Sequence, residues 1–290
     1  MAKTVLITGA SSGIGEETVK RLMSAGYTVY AGARRLDRMK SLADAGARLL
    51  ALDVTDDGSM TAAVKTVMQE TGRIDVLINN AGYGSYGALE DVPPEEARRQ
   101  FDVNIFGLAR LTQLVLPAMR AQRSGRIINI SSIAGKFGEP FGCWYHATKF
   151  AVEGLSDSLR MELHPLGIDV VVIQPGATHS EWAKIAHDSL IKSSGDGPYG
   201  KAASAHAEMM EEGHKGSIPA PPSAVAKTIV QAVQARNPKT RYVTGGLART
   251  MLFMRRVLSD CAFDAMFRMI ERQMAKSKAR FKPLSRSQTN

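Results

Sequence analysis

The chain has 290 residues, 44% of them hydrophobic and 22% charged, which are the proportions of an ordinary globular protein long enough for a sizeable core. Collagen-like, low-complexity and largely disordered chains are excluded, and no apolar run reaches the roughly 18 residues of a spanning helix. The net charge of +9 sits at one end: residues 1–235 carry 24 Lys+Arg against 25 Asp+Glu, and residues 236–290 carry 13 against 3. A neutral body with a basic end argues against a nucleic-acid partner.

Met1-Ala2-Lys3 leads straight into a β-branched run, so no secretory leader is expected. Cys143 and Cys261 form no C-x-x-C pair, which argues against a disulfide framework and for a cytoplasmic location.

In chain order, strand-like and helix-like segments alternate. Strands are predicted over Lys3–Thr8, Tyr27–Gly32, Arg48–Leu52, Asp75–Asn79, Arg126–Ile130, Ile168–Gln174 and Arg241–Thr244. Helices are predicted over Ile14–Ala25, Asp37–Ala45, Asp57–Thr71, Glu95–Gln122, Tyr145–His164, Pro222–Arg236 and Arg249–Met274. Several strands are near-continuous Val/Ile/Leu runs, the pattern of a parallel sheet covered on both faces. The fold class is therefore α/β, a Rossmann-type, doubly wound, seven-stranded parallel sheet. Residues 177–221, rich in Ser, Gly, Ala, His and Pro, read as a long irregular insertion with some helical pieces, the usual form of a lid. We expect a catalytic domain over 1–248, a helical extension over 249–275 and a frayed basic tail over 276–290.

The first strand runs into Thr8-Gly9-Ala10-Ser11-Ser12-Gly13-Ile14-Gly15 and then a helix. Glycines there let the backbone approach a pyrophosphate, which the helix N-terminus then holds. An NAD site would place an acidic residue at the end of the second strand; this chain has Ala33-Arg34-Arg35. Guanidinium groups favour a 2′-phosphate, so NADP(H) is expected over NAD(H), with Arg34 or Arg35 and the Ser11 or Ser12 hydroxyl around that phosphate.

Tyr145 and Lys149 stand at i and i+4 on one helical face, where an ammonium beside a phenol would lower the tyrosine pKa and make a general acid/base. Ser132, just past a strand, offers a hydroxyl to a carbonyl oxygen. Tyr-x-x-x-Lys alone is common, and without its context a surface pair would be the better reading.

With these motifs the chain, from residue 3 to about 245, resembles the classical short-chain dehydrogenase/reductase family. The glycine motif, Asp53 followed by Val54, Asn79-Asn80-Ala81-Gly82, Asn104, Ser132, Tyr145, Lys149 and Pro175-Gly176 match its pattern in order and spacing. The resemblance implies hydride transfer between a nicotinamide and a carbonyl or alcohol carbon. It casts Asn104, Ser132, Tyr145 and Lys149 as the catalytic tetrad, and Asp53 as the contact to adenine. Tyr145 would protonate the carbonyl oxygen, Ser132 orient it, Lys149 hold the nicotinamide ribose and Asn104 hold a relay water. The family's carboxamide-binding threonine falls at Ser180, with Thr178 as a nearby alternative. A homodimer or homotetramer is implied, with the helices over 95–122 and 145–164 as the interface. The style is similar to the steroid- and retinol-dehydrogenase-like branch.

Phe137, Phe141, Trp144 and Trp182 give an apolar rim that suits a lipophilic carbonyl or alcohol, and core or dimer packing is the equal alternative. His179, His187, His206 and His214 show no metal-ligand spacing, so no metal is expected. Cys143 is read as a buried, inert thiol. Arg249–Met274 combines apolar residues with arginines; packing on its own domain is preferred to peripheral membrane contact, since an apolar stripe ordinarily faces a core. A catalytically silent NADP(H) sensor or membrane-surface scaffold is the alternative function.

Overall fold

The structure is a computed structural model and describes residues 2–215 and 219–281, without side chains over 212–218 and beyond 270. The elements are β1 (Thr4–Thr8), α1 (Gly13–Ser24), β2 (Thr28–Ala33), α2 (Lys40–Asp44), β3 (Arg48–Ala51), α3 (Asp57–Thr71), β4 (Val76–Asn79), α4 (Pro94–Phe101), α5 (Gly107–Gln122) and β5 (Gly125–Ile130). They continue with α6 (Cys143–Leu163), β6 (Ile168–Pro175), α7 (Glu181–Ser194), α8 (Gly200–Lys215), α9 (Pro222–Gln234), β7 (Arg241–Thr244), α10 (Ala248–Val257) and α11 (Asp260–Phe281).

The strands form one seven-stranded sheet in the order β3-β2-β1-β4-β5-β6-β7, with every pairing parallel. Successive strand residues point to opposite faces, so a continuous apolar strand feeds two cores. In β1, Val5 and Ile7 join the core under α1 and α9, with Leu22, Val225 and Ile229. Leu6, between them, joins the opposite core under α3 and α5, with Val64, Leu111 and Val115. The order reverses between β1 and β4, which opens a crevice at the carboxyl ends of the central strands.

Three expectations change. The pattern over Glu95–Gln122 is α4 and α5 joined by a π-helical turn, Asp102–Phe106. The insertion read as irregular is largely the helices α7 and α8. The single helix expected over Arg249–Met274 is two, α10 and α11, broken at Leu258, whose backbone is extended. The helix α11 runs on through residues 276–281, and the rest of the basic tail lies outside the described residues.

Candidate active site

At the end of β1 the chain turns through bare backbone. Gly9 and Gly13 take φ of +67° and +55°, the left-handed region that glycine enters freely. A Cβ on Gly9 would stand 2.9 Å from Ala81 Cα, and one on Gly15 would stand 2.2 Å from the Gly9 carbonyl oxygen. The turn is pinned to the loop after β4: Asn80 N and Ala81 N donate to Thr8 Oγ1 at 3.0 and 2.9 Å. Asn80 Nδ2 returns bonds to the Thr8 and Gly9 carbonyls at 3.0 and 3.1 Å. Ser12 caps α1 in an extended conformation and makes no side-chain bond to the helix. Ile14, in the first turn of α1, packs its side chain onto the core. Backbone N–H groups at a helix start, in a cradle that a Cβ would fill, fit a dinucleotide pyrophosphate.

Arg34 and Arg35 follow β2 and are exposed. Arg35 Nη2 lies 3.5 Å from Ser11 Oγ, so it is Arg35 that meets the glycine turn. Past β3, Asp53 Oδ1 accepts from Thr55 N and Oγ1 at 3.0 and 2.8 Å, and Val54 is buried. After Pro175, Gly176 N donates to the Thr244 carbonyl at 2.8 Å. Thr178 is buried and its hydroxyl turns back to the Gly176 carbonyl at 3.0 Å. Ser180 caps α7, its Cβ 3.8 Å from where a Cβ of Gly13 would be, so Ser180 rather than Thr178 faces the glycine turn.

The four residues Asn104, Ser132, Tyr145 and Lys149 come from three parts of the chain, the last two from one face of α6. Asn104 sits in the π turn, a distortion that recurs at functional sites. Its Oδ1 accepts from Tyr83 N at 3.1 Å, and its Nδ2 donates to Tyr83 O at 2.9 Å and Thr148 Oγ1 at 3.1 Å. Gly82 lies between Asn104 and Lys149: a Cβ there would stand 3.1 Å from Asn104 Oδ1 and 3.8 Å from Lys149 Nζ. Ser132 Oγ accepts from Ala134 N at 3.1 Å and donates to Pro175 O at 3.3 Å. Lys149 Nζ donates to Ile130 O at 3.0 Å and stands 5.8 Å from the centroid of the Tyr145 ring.

The electrostatics differ from expectation in one respect. Burial pushes the Tyr145 phenol well above its ordinary value, the Ser132 hydrogen bond pulls it down, and the Glu139 carboxylate adds to the rise. The Lys149 ammonium is turned to the Ile130 carbonyl. Burial also lowers Lys149, to about 8, against the pull of Glu153.

Beside Tyr145 lies a polar cluster that local sequence pattern does not reveal. Tyr86 donates to Glu139 Oε1 at 2.5 Å, and His146 Nε2 stands 3.5 Å from the same oxygen. His146 Nδ1 meets the carbonyls of Phe137 and Ala134 at 2.5 and 3.0 Å, which identifies it as the N–H nitrogen. Burial lowers His146, but Glu139 and these carbonyls outweigh it, so the imidazole is held above its usual value. The adjacency of His146 to Tyr145 was the only signal; Glu139 comes from the loop just before α6, and Tyr86 from a distant loop.

The aromatic rim divides. Trp182 packs on Tyr145 with centroids 5.0 Å apart and on Tyr86 at 5.9 Å. Phe141, at φ +62°, joins the same apolar cluster. Phe137 instead packs on Phe263 and Phe267 of α11 at 5.5 and 5.9 Å, and Trp144 on Phe101 of α4 at 6.2 Å. Cys143 is exposed, not buried as expected. Among the described residues, no group of three His, Cys, Asp or Glu side chains is placed to hold a metal.

Residues 3–189 match the family model described as short chain dehydrogenase. The chain belongs to the short-chain dehydrogenases. It is 35% identical over 265 residues to a probable short-chain type dehydrogenase/reductase, VdlC, of Helicobacter pylori, covering 91% of this chain and 96% of that one. It is 47% identical over 172 residues to a 3-ketodihydrosphingosine reductase of Bacteroides thetaiotaomicron, covering 59% and 62%. A short-chain dehydrogenase crystal structure from Streptomyces avermitilis aligns with a TM-score of 0.76 at 31% identity, over 97% of this chain and 98% of that one. Other solved members carry either cofactor. A metagenomic short-chain oxidoreductase in complex with NADP aligns at 27% identity and a TM-score of 0.65, over 83% and 96%. A 3-ketoacyl-(acyl-carrier-protein) reductase from Brucella melitensis complexed with NADH aligns at 26% and 0.70, over 84% and 97%. This short-chain dehydrogenase is thus an oxidoreductase acting on CH–OH groups.

Proposed function

We propose that this short-chain dehydrogenase is an NADP(H)-dependent enzyme that interconverts a lipophilic carbonyl and its alcohol, with Asn104, Ser132, Tyr145 and Lys149 as its catalytic group. The observation that carries the reading is the convergence of these four side chains at the switch-point crevice, beside a glycine turn that fits a pyrophosphate. Arg35 beside Ser11, with no acidic residue at the end of β2, supports the 2′-phosphorylated cofactor. Bound nicotinamide supplies the hydride donor or acceptor. In reduction Tyr145, kept protonated by burial, gives its proton to the carbonyl oxygen, and the Ser132 hydroxyl orients that oxygen and shares its developing charge. Lys149 would hold the ribose hydroxyls, and Asn104 a water on the way to solvent.

The substrate is bound between Trp182, Phe141 and Tyr86, under a lid that includes α7 and α8. A steroid-, retinoid- or fatty-type substrate suits such walls, and the reductase relative named for a 3-keto long-chain base supports that class. Phe263 and Phe267 pack inward on Phe137, so we read α11 as an outer wall of the catalytic unit. In α10, Phe253 and Val257 are exposed beside Arg256, which suits peripheral contact with an anionic membrane. The enzyme is read as a cytoplasmic homo-oligomer, with no nucleic-acid partner and no metal.

The test is NADPH consumption by wild type and Tyr145→Phe against carbonyls from short ketones to retinal and ketosteroids. We expect turnover with the larger apolar substrates and a loss of about 10²–10⁴-fold in the variant, with NADPH affinity unchanged. Wild type that binds NADPH but turns over no carbonyl would instead favour the silent sensor.

A further inference from the structure

The arginines after β2 already hold an anion, and it belongs to the chain. Glu181 is the first residue of α7. Arg38 Nη2 donates to its Oε1 at 2.5 Å, and Arg38 Nη1 donates to its Oε2 at 3.2 Å, a two-pronged pair. Arg35 Nη2 stands 3.8 Å from Oε2, and the Ser12 hydroxyl bonds the same carboxylate. Arg35 also reaches Ser11. Two guanidinium groups and a serine hydroxyl thus converge on one carboxylate, as they would on a phosphate monoester. The Arg38 hydrogen bond holds the Glu181 carboxyl below its usual range, so it is ionised at neutral pH.

Resting on the NADP(H) reading above, we propose that Glu181 is an internal counter-anion for the 2′-phosphate site. A 2′-phosphorylated nucleotide must displace its carboxylate from Arg35 and Arg38 or bind against its charge. A nucleotide with a free 2′-hydroxyl meets neither cost. Glu181 is therefore a specificity-determining residue that narrows the preference of the arginines for the phosphorylated cofactor. The Arg38 and Glu181 side chains are 35% and 50% exposed, so solvent screens the contact and the effect is moderate. Exposed ion pairs change an equilibrium constant by up to about fivefold each.

The test is calorimetric binding of 2′,5′-ADP and 5′-AMP to wild type and Glu181→Gln at fixed ionic strength. The substitution keeps the side chain's size and removes its charge. We expect 2′,5′-ADP to bind the variant about three- to tenfold more tightly and 5′-AMP to change less than about twofold, the gain shrinking at high salt. Unchanged 2′,5′-ADP affinity overturns the inference. Weaker binding of both nucleotides also overturns it, and makes Glu181 a clamp over bound cofactor. A wild type that prefers 2′,5′-ADP, with no change in the variant, overturns this inference alone. Equal affinities for the two nucleotides in both proteins would remove the NADP(H) reading with it.

Discussion

Lys149 is buried at the foot of the crevice, with its ammonium on the Ile130 carbonyl. Burial lowers its pKa to about 8 from the 10.5 of an exposed lysine. Between those values the unfolded chain binds more protons than the folded one, so stability rises with pH across that window. Below about pH 8 the full cost of the buried charge is present. We predict that Lys149→Met gains stability relative to wild type at pH 7, and that this advantage falls by roughly 2–3 kcal/mol by pH 10. Urea unfolding of both proteins at the two pH values checks it, and a pH-independent difference would contradict it. Tyr145 works in the opposite sense outside this window: its raised phenol pKa contributes stability that is lost as pH climbs above 10. The i, i+4 spacing placed Tyr145 and Lys149 on one face, but spacing does not say where an ammonium points. That depends on the Ile130 carbonyl, at the end of a strand 19 residues earlier.

The first βαβ unit carries the glycine turn. Gly9 combines a left-handed backbone with a neighbour, the Ala81 main chain, that has no side chain to move aside. We predict that Gly9→Ala lowers stability by about 1–3 kcal/mol and weakens NADP⁺ binding at least about tenfold. Gly26→Ala is the control: φ is +83° and nothing lies within 4 Å of its Cβ, so it should cost about 1 kcal/mol and leave binding intact. Denaturation midpoints and calorimetric titration separate the two, and equal binding by both variants would refute the cradle. The glycine turn was legible because its strand–turn–helix context is local. The π turn under Asn104 was not, since the hydrogen-bond shift that makes a π turn is not written in residue types, and Glu95–Gln122 reads as one helical stretch. The helices α7 and α8 were read only as helical pieces of an irregular insertion because their packing faces are Ala- and Ser-rich: Ala186, Leu190, Ser194, Ala203 and Ala207 are all fully buried.

At the scale of the whole molecule, large apolar side chains gather outside the sheet and its cores. Phe106, Phe150 and Met161 are 60%, 48% and 68% exposed on the π turn and α6. Scattered apolar residues are ordinary, but aromatic and Met side chains on adjoining elements suit a symmetric contact. We predict that the wild type sediments as a homodimer or homotetramer and that the double variant Phe150→Asp, Met161→Asp sediments as a smaller species with the same circular dichroism. An unchanged sedimentation coefficient would place the contact elsewhere.

The sequence by itself determined the α/β class and the parallel sheet, because continuous Val/Ile/Leu strands and a glycine turn at a helix start are local patterns with few physical solutions, and the order and spacing of its motifs carried the family resemblance. Tertiary structure alone decided which of two neighbouring residues faces the glycine turn, Arg35 over Arg34 and Ser180 over Thr178. It also split the aromatic rim, sending Phe137 to α11 and Trp144 to α4. Glu139 beside His146 and Glu181 on Arg38 are likewise tertiary, since each pair joins separate elements. Side-chain charge and size are written in the sequence, but the partner that satisfies a charge or covers a ring is fixed only when distant segments pack together.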